Sequence, residues 1–262
     1  MRLITSQKPT TKKRKLIGNN KMVFDSEEHT YIRKGIYYTS VTDVIDNFCK
    51  DFKKDRISKA IARKENRSQE EVLEEWDLKR EISTSWGDAF HKSAELWIKY
   101  KQKPNQELLQ DFIDKLDKEI KRDRCMTEEI VYNDRLAIAG TIDVVEMLSE
   151  GERGSYKGDV RLIDIKTNNG FDKSYNNLLK PFNKLKDTKL NRYRMQLTVY
   201  KELLERLKEV KVKDMEILQV GFDKEIEINR IKVKPIKGMI EAIEGLDLKK
   251  IKVEKDYSNN IL

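Results

Sequence analysis

The chain lacks the features that mark secreted, membrane-spanning or metal-cluster proteins. Its 262 residues include two cysteines, Cys49 and Cys125, which are far apart and form no C-x-x-C pair. This argues against a disulfide scaffold, a cysteine-based zinc site and a four-cysteine iron–sulfur cluster. Apolar runs stay well short of the roughly 20 residues that a membrane span needs, and the N-terminus lacks the apolar core of a signal peptide. We therefore expect a cytoplasmic protein with no iron–sulfur cluster and no membrane contact; an organellar location stays open.

Charge, by contrast, is abundant and leans positive. Charged residues make up 38% of the chain, and 54 Lys and Arg against 46 Asp and Glu give a formal net charge of +8. A basic balance favours polyanionic partners, because each neutralised phosphate releases condensed counterions. A lysine-rich protein that binds no nucleic acid is the alternative. The bias towards lysine, asparagine and isoleucine also fits an AT-rich genome of bacterial or viral origin.

One domain is expected after a flexible leader. Residues 1–20 are polar and basic, lack periodicity and include the run KKRK at 12–15, so we predict a loose tail there. A localisation signal is the alternative interpretation of that run. The remaining residues, 21–262, show no linker or internal repeat and are numerous enough to bury one sizeable core.

The first half of the chain carries helical periodicity after a short strand-rich start. β-Branched and aromatic residues around 34–35 predict a hairpin, and Ser40 or Thr42 could cap a helix beginning near Val44. One or two surface helices are expected over residues 50–82, where charged residues dominate.

Two clearer helices follow. Residues 85–100 repeat apolar side chains at helical spacing, which predicts that Phe90, Ala94 and Trp97 are buried. A second amphipathic helix carries the stripe Leu108, Phe112, Leu116 and Ile120.

The period then changes from helix to strand. Residues 128–148 and 159–168 are rich in Ile, Val and Leu, are broken by glycine-containing turns, and predict a β-meander. A polar connection at 168–192, a helix over 193–210 and a closing hairpin at 215–233 complete the chain. This order predicts an α/β fold with a mixed central sheet flanked by helices, rather than a doubly wound sheet.

The segment LIDIKT holds the first chemical motif. In a strand, alternation puts Ile163 and Ile165 on one side and Asp164 and Lys166 on the other. The carboxylate can bind a hard cation, and the lysine can position and activate a water. D-x-K occurs five times in the chain, but Asp164 alone lies in a continuous apolar strand. An unpaired charge pair there would be costly, so this copy indicates a site.

A second aspartate lies in the preceding predicted strand. Gly140 and Asp143 form the one G-x-x-D in the chain, and the glycine permits a turn or a close backbone approach. If a hairpin joins the two strands, Asp143 and Asp164 are neighbours and could share a metal. Two such carboxylates repel unless a cation lies between them. The alternative places each aspartate at a strand end, facing water.

Further candidates lie on predicted helices. His91 precedes Glu95 by one helical turn, and Gln196 and Tyr200 share one helix face. Taken alone, each also fits a purely structural role. Glu95 and Glu129 are lesser acidic candidates, and a solvated helix or strand terminus is the alternative for both.

The order of these four motifs resembles the PD-(D/E)XK nuclease superfamily. G-x-x-x-H on a helix, G-x-x-D on a strand, D-x-K on the next strand and Q-x-x-x-Y on a helix follow one another in the order seen there. The arrangement is similar to the RecB-like branch, which includes Cas4-like and mitochondrial-genome-maintenance-type exonucleases. The Ser-Val-Thr region at 31–45 is similar to the latter group and its phage relatives. The resemblance covers roughly residues 20–205. Because the four-cysteine cluster of Cas4-like members is absent, the cluster-free subset is the nearer match.

The resemblance implies a restriction-endonuclease-like core, forming a single nuclease domain over 21–262, and a metal-dependent reaction. His91, Asp143 and Asp164, with the Ile165 carbonyl, would hold one or two Mg²⁺ or Mn²⁺ ions. Lys166 would orient the attacking water and steady negative charge on the phosphate.

The resemblance also suggests how DNA is bound. Gln196 and Tyr200 would lie beside the site and contact DNA together with Lys166, or support the metal ligands. Aromatics among the lysines of 168–192 suit stacking on single strands, and ordinary anchoring aromatics are the alternative. We expect an exonuclease acting on single-stranded DNA or DNA ends, with possible partners in replication, repair or recombination. An endonuclease, or a non-catalytic DNA-binding or recombination accessory protein, are the alternatives.

Overall fold

The computed structural model describes residues 21–25, 30–149, 157–167, 170–174, 176–222 and 225–246; the predicted leader at 1–20 lies outside them. The elements, in chain order, are β1 (Val23–Asp25), β2 (Thr30–Arg33), β3 (Ile36–Ser40), α1 (Val41–Asp46), α2 (Lys54–Glu65), α3 (Gln69–Tyr100), α4 (Glu107–Glu119), β4 (Cys125–Asn133), β5 (Ile138–Met147), β6 (Lys157–Lys166), α5 (Lys189–Leu207), β7 (Glu209–Gly221), β8 (Glu227–Val233) and α6 (Met239–Glu244).

The strands within the described ranges form one mixed sheet, in the order β1-β2-β3-β5-β6-β7-β8, with β4 paired to β5. The β3–β5 and β6–β7 pairs are parallel, and the other pairs are antiparallel. The predicted mixed sheet with flanking helices is therefore confirmed. The predicted β-meander is the run of β4, β5 and β6, and β7 with β8 is the predicted closing hairpin.

Strand β5 changes partner along one of its edges. Its last residues, Val144–Met147, pair with β6, whereas Ile138 and Ala139 pair with β3. The opposite edge pairs with β4 along nearly its whole length. Strands β3 and β6 therefore separate beside residues 140–143, and we call this opening the fork.

Helices cover both faces of the sheet. On one face α1, α5 and α6 enclose a large apolar core with the inward side chains of β5, β6 and β7. On the other face α3 and α4 form a second core, centred on the edge-to-face pair Phe90 and Phe112, whose ring centroids are 4.9 Å apart. The predicted burial of Phe90, Ala94 and Trp97 is confirmed. On α4, the buried stripe includes Leu109 and Ile113, while the predicted Leu108 is only partly buried.

The predicted start of the domain is also seen. Lys34 and Gly35 both have positive φ, at 51° and 77°, and turn β2 into β3. Ser40 rather than Thr42 caps α1, because its hydroxyl accepts a hydrogen bond of 3.0 Å from the Asp43 N–H.

Helix α3 is longer than predicted. The expected break between residues 82 and 85 is wrong: one helix of 32 residues runs through both predicted segments. Ser68 and Glu71 form a capping box at its start, and neither a proline nor a left-handed residue interrupts it before Lys101. Residues 78–85 are exposed on every side.

A network of buried charges lies between the sheet and the end of α4. Arg161 of β6 pairs with Glu146 of β5 and Glu216 of β7. Arg230 of β8 joins Glu216 to Glu119 of α4. Glu146 and Glu216 are both buried. We call these five residues the buried charge network.

None of the helices within the described ranges is both long and apolar enough to cross a membrane.

Candidate active site

Asp143 lies in the fork, where its carboxylate takes over the role of a backbone acceptor. Val144 pairs with Ile163 as the last rung between β5 and β6, so Asp143 and Asp164 face each other one position further on. The Ile165 N–H donates a hydrogen bond of 2.7 Å to Oδ2 of Asp143. The predicted placement of the two aspartates on neighbouring strands is therefore observed.

Gly140 allows α5 to approach β5 closely. A Cβ at this position would lie 2.4 Å from Cε1 of Tyr200. Tyr200 is buried, and its hydroxyl accepts a hydrogen bond of 2.9 Å from Nε2 of Gln196. The Q-x-x-x-Y pair thus lies behind the strand that carries Asp143, which favours the supporting role among the two that the resemblance implies. Direct contact of Gln196 and Tyr200 with DNA stays a prediction.

His91 reaches the same point from α3. Its Nε2 donates to the Ile165 carbonyl oxygen over 2.9 Å, and its Nδ1 lies 3.5 Å from Oδ1 of Asp143. The negative charge of Asp143 outweighs burial and raises the pKa of His91 to about 9. The structure therefore brings His91, Asp143 and the Ile165 carbonyl together, as the resemblance implied.

Asp164 and Lys166 form a buried pair at the end of β6. Nζ of Lys166 donates to Oδ1 of Asp164 over 2.8 Å and lies 5.2 Å from the ring centroid of Tyr193. Burial raises the pKa of Asp164, although Lys166 opposes the shift. Burial alone would lower the pKa of Lys166, but Asp164 and Asp143 outweigh it and raise that pKa. Alternation along β6 holds as predicted, since Ile163 and Ile165 pack under α3 and α4.

These donors fit a hard divalent cation. Oδ2 of Asp164 is buried and, among the residues that the structure describes, has no hydrogen-bond partner. A buried carboxylate oxygen without a partner is costly, and a second carboxylate, Asp143, faces it. Carboxylate and carbonyl oxygens with one imidazole suit Mg²⁺ or Mn²⁺.

Glu128 is a site residue that the sequence analysis missed. Its carboxylate, the His91 ring and the Asp143 carboxylate each place one ligand atom within 4.8 Å of the others. Burial and the neighbouring Asp143 raise the pKa of Glu128 to about 7. Register could have found it: with Asn133 opposite Ile138, counting back along the hairpin puts Glu128 opposite Asp143.

The two lesser acidic candidates are placed elsewhere. Glu95 is held on the surface of α3 by Lys92 and Lys99, at 2.8 and 2.9 Å. Glu129 lies outside the group of ligand atoms, and burial raises its pKa, with Lys208 and Lys99 opposing. Glu95 therefore matches the alternative of a solvated helix, whereas Glu129 lies in the middle of β4 and is partly buried, so it is not at a strand terminus.

Tyr175, one of the aromatics before α5, lies outside the residues that the structure describes. Phe171 and Phe182 are buried in the core under α1 and α5, which favours the anchoring alternative over stacking on bases. Tyr193 is partly buried beside Lys166.

A polar groove of about 400 Å³ opens next to the site. One wall is a stripe of α3, and the other is the end of β6. Its lining residues are Arg80, Ser83, Thr84, Gly87, Asp88, His91, Ile165, Lys166 and Thr167.

One of three comparisons with known proteins identifies the family of this chain. No curated protein matches the chain. A crystal structure of a protein from Eubacterium rectale, described as a candidate exonuclease, is similar at 11% identity and a TM-score of 0.36, covering 82% of this chain and 79% of that one. The family model of the PD-(D/E)XK nuclease superfamily matches residues 45–258. Since that match spans most of the chain, the protein belongs to the PD-(D/E)XK nuclease superfamily.

Proposed function

We propose that this nuclease is a Mg²⁺- or Mn²⁺-dependent exonuclease that hydrolyses single-stranded DNA or DNA ends. The observation that carries the proposal is the convergence of His91, Asp143, Asp164 and Lys166 at the fork. A net charge of +8 supports a polyanionic substrate. Association with proteins of replication, repair or recombination belongs to the same proposal.

Four groups would hold the cation: His91, Asp143, Asp164 and the carbonyl oxygen of Ile165. When bound, a divalent cation polarises the scissile phosphate, lowers the pKa of a coordinated water and stabilises the leaving oxyanion. The protein's part is to keep these ligands fixed. The hydrogen bond from the Ile165 N–H to Asp143 orients that carboxylate before any cation binds.

Lys166 acts as a fixed positive charge in this proposal. Asp164 and Asp143 raise the pKa of Lys166, which favours its ammonium form. The ammonium donates hydrogen bonds, which orient the attacking water and stabilise charge on the phosphate oxygens. Asp164 holds it in place through the 2.8 Å hydrogen bond.

The groove beside α3 supports a path for one DNA strand. Arg80 and the hydroxyls of Ser83 and Thr84 line it at helical spacing on the way to His91. The groove is open to solvent and ends at His91 and Lys166, so a single strand or a frayed end could reach these residues along it.

The test is digestion of end-labelled single- and double-stranded oligonucleotides with Mg²⁺, with Mn²⁺ and with chelator. We expect stepwise shortening of single strands or ends that requires the cation. Asp164→Asn and Lys166→Met should each lower the rate by about 10²-fold or more while DNA binding remains. Asp51→Asn with Lys53→Met is the matched control, because it alters the same tripeptide at exposed positions.

Three outcomes would contradict parts of the proposal. Cleavage of a circular single strand would favour the endonuclease. DNA binding without cleavage in either metal would favour the accessory protein. Full activity in the Asp164 or Lys166 variant would remove these residues from the reaction.

A further inference from the structure

Glu128 lies at the one interrupted rung of the β4–β5 ladder. Thr127 pairs with Val144 and Glu129 pairs with Ile142, but Glu128 and Asp143, which face each other between them, are not bridged. The backbone of Glu128 is left-handed, with φ of 55°. Such a conformation is uncommon for a residue other than glycine, asparagine or aspartate, and here it accompanies a side chain that reaches Asp143.

Before a divalent cation binds, the Glu128 carboxylate lies close to that of Asp143, and His91 compensates only part of their repulsion. Among the residues that the structure describes, the Glu128 carboxylate makes no hydrogen bond and no ion pair, and it lies beside the carboxylate of Asp143. Two carboxylates at this separation repel, and Asp143 is partly buried although Glu128 is exposed. A divalent cation between them would turn the repulsion into attraction.

The opposite side of Asp143 carries an independent indication of a ligand. There Oδ2 of Asp164 is buried without a hydrogen-bond partner in the described part of the chain. Asp143 thus has Asp164 and Ile165 of β6 on one side and Glu128 of β4 on the other, while His91 contacts it from α3.

We propose that Glu128 is a further carboxylate ligand, which binds a divalent cation together with His91 and Asp143. The inference rests on the proposed function, because it concerns the same metal centre. It adds a ligand from β4 to a set that the four motifs confine to α3, β5 and β6. A carboxylate contributes both an oxygen donor and a negative charge, and both tighten the binding of hard cations.

The test has two measurements. The full chain is titrated with Mn²⁺ in the absence of DNA by calorimetry, and its thermal unfolding is recorded. Glu128→Gln should weaken Mn²⁺ binding by about 10-fold or more. In chelator, the same variant should unfold at the same temperature as the wild type or a higher one, because a repulsion is removed. A residue with a purely structural role would instead lower that temperature.

Glu129→Gln is the matched control, since it makes the same change one residue along β4 and outside the group of ligand atoms; it should bind Mn²⁺ as the wild type does. If Glu128→Gln fails to fold, Glu128→Asn removes the carboxylate while keeping a residue that tolerates left-handed backbone. Unchanged Mn²⁺ affinity in the folded Glu128 variant overturns the proposal.

The two proposals fail in different ways. If the wild type binds Mn²⁺ through Glu128 but leaves all DNA intact, the proposed function is wrong and the ligand assignment stands. If Asp164→Asn abolishes binding while Glu128→Gln does not affect it, the ligand assignment is wrong and the proposed function stands. If the wild type binds no Mn²⁺, both are wrong.

Discussion

At Gly140, the ring of Tyr200 occupies the space that a side chain would need. We predict that Gly140→Ala lowers the free energy of unfolding by about 1–3 kcal/mol, because a Cβ would lie 2.4 Å from a ring carbon in a packed core. It should also weaken Mn²⁺ binding, since a shift of β5 displaces Asp143 three residues further on. Urea denaturation and a Mn²⁺ titration measure the two effects.

Gly87→Ala is the control for this substitution. A Cβ there would meet nothing closer than Oγ1 of Thr167, at 3.8 Å. Since Gly87 lies inside α3, alanine should stabilise the protein by about 0.4–1 kcal/mol. Equal stability of the two variants would contradict the role assigned to Tyr200.

At the residue scale, the sequence predicted site residues best where a motif lay within an apolar strand. Asp143, Asp164 and Lys166 were selected in that way, whereas His91, on a helix, entered through the order of the four motifs; the structure brings all four to the fork. Glu128 was missed because the sequence analysis did not pair the residues of β4 with those of β5, although that register puts Glu128 opposite Asp143.

At the scale of elements, α3 has two differently supported halves. Residues 90–98 pack into the core with α4, whereas residues 78–85 are exposed on all sides and carry one wall of the groove. In the proposed function, residues 78–85 would contact DNA along the groove, while residues 90–98 fix the part of α3 that carries His91 against the sheet.

A substitution at Arg80 tests whether DNA binds along the groove. If a DNA strand runs along α3, Arg80→Ala should raise KM several-fold and leave kcat unchanged, because a phosphate contact away from the reacting centre binds ground state and transition state equally. The slope of log affinity against log salt should fall by about 1. Arg63→Ala, an exposed position on α2, makes the same charge change outside the groove.

Steady-state kinetics on single-stranded oligonucleotides at several salt concentrations distinguishes the outcomes. Equal effects of the two arginine variants would show that net charge alone matters. A fall in kcat with Arg80→Ala would move that residue into the reaction.

Elements with strong local signals could be predicted from sequence. The hairpin at 34–35, the Ser40 cap and the type of each long element follow from turn chemistry and periodicity. The continuity of α3 could not be predicted, because Ser83, Thr84 and Ser85 weaken helix propensity without breaking the helix.

On the scale of the whole molecule, protons and divalent cations compete for the same titratable side chains at the fork. His91, Asp164 and Glu128 all have raised pKa values, so each stabilises the folded state while protonated and loses that contribution as pH rises through its folded pKa. For His91 the window extends from its unfolded value, about 6.5, to about 9. A bound cation replaces these protons, so its affinity should rise over the same window.

We therefore predict opposite pH trends with and without metal. In chelator, the site's contribution to the free energy of unfolding should fall between pH 6 and 9, and His91→Gln should flatten that trend. At a Mn²⁺ concentration of 100 times Kd, unfolding should cost about 2.7 kcal/mol more than in chelator, and this gain should grow with pH at fixed Mn²⁺. Urea denaturation of both proteins across pH measures this; a gain that shrinks with pH would contradict the ligand set.

The parallel pairing of the strands in the sheet is a part of the fold that could not be predicted from the sequence. Fold class followed from element order, but the parallel pairing of β3 with β5 depends on contacts about one hundred residues apart. Local patterns carry no information about such a pair, so the fork could not be foreseen, although both aspartates could.

The buried charge network bears on how the strands find their alignment during folding. A slip of one residue between neighbouring strands turns every side chain to the other face. Because β6 is largely apolar on both faces, burial of apolar side chains alone discriminates less strongly against such a slip. Here such a slip would turn Arg161 away from Glu146, which it directly faces, and from Glu216. Leaving a buried carboxylate unpaired costs about 3–5 kcal/mol, whereas the intact network adds little net stability. We expect these charges to favour one register of strands β5 to β8, namely the register in which Asp143 and Asp164 lie opposite each other.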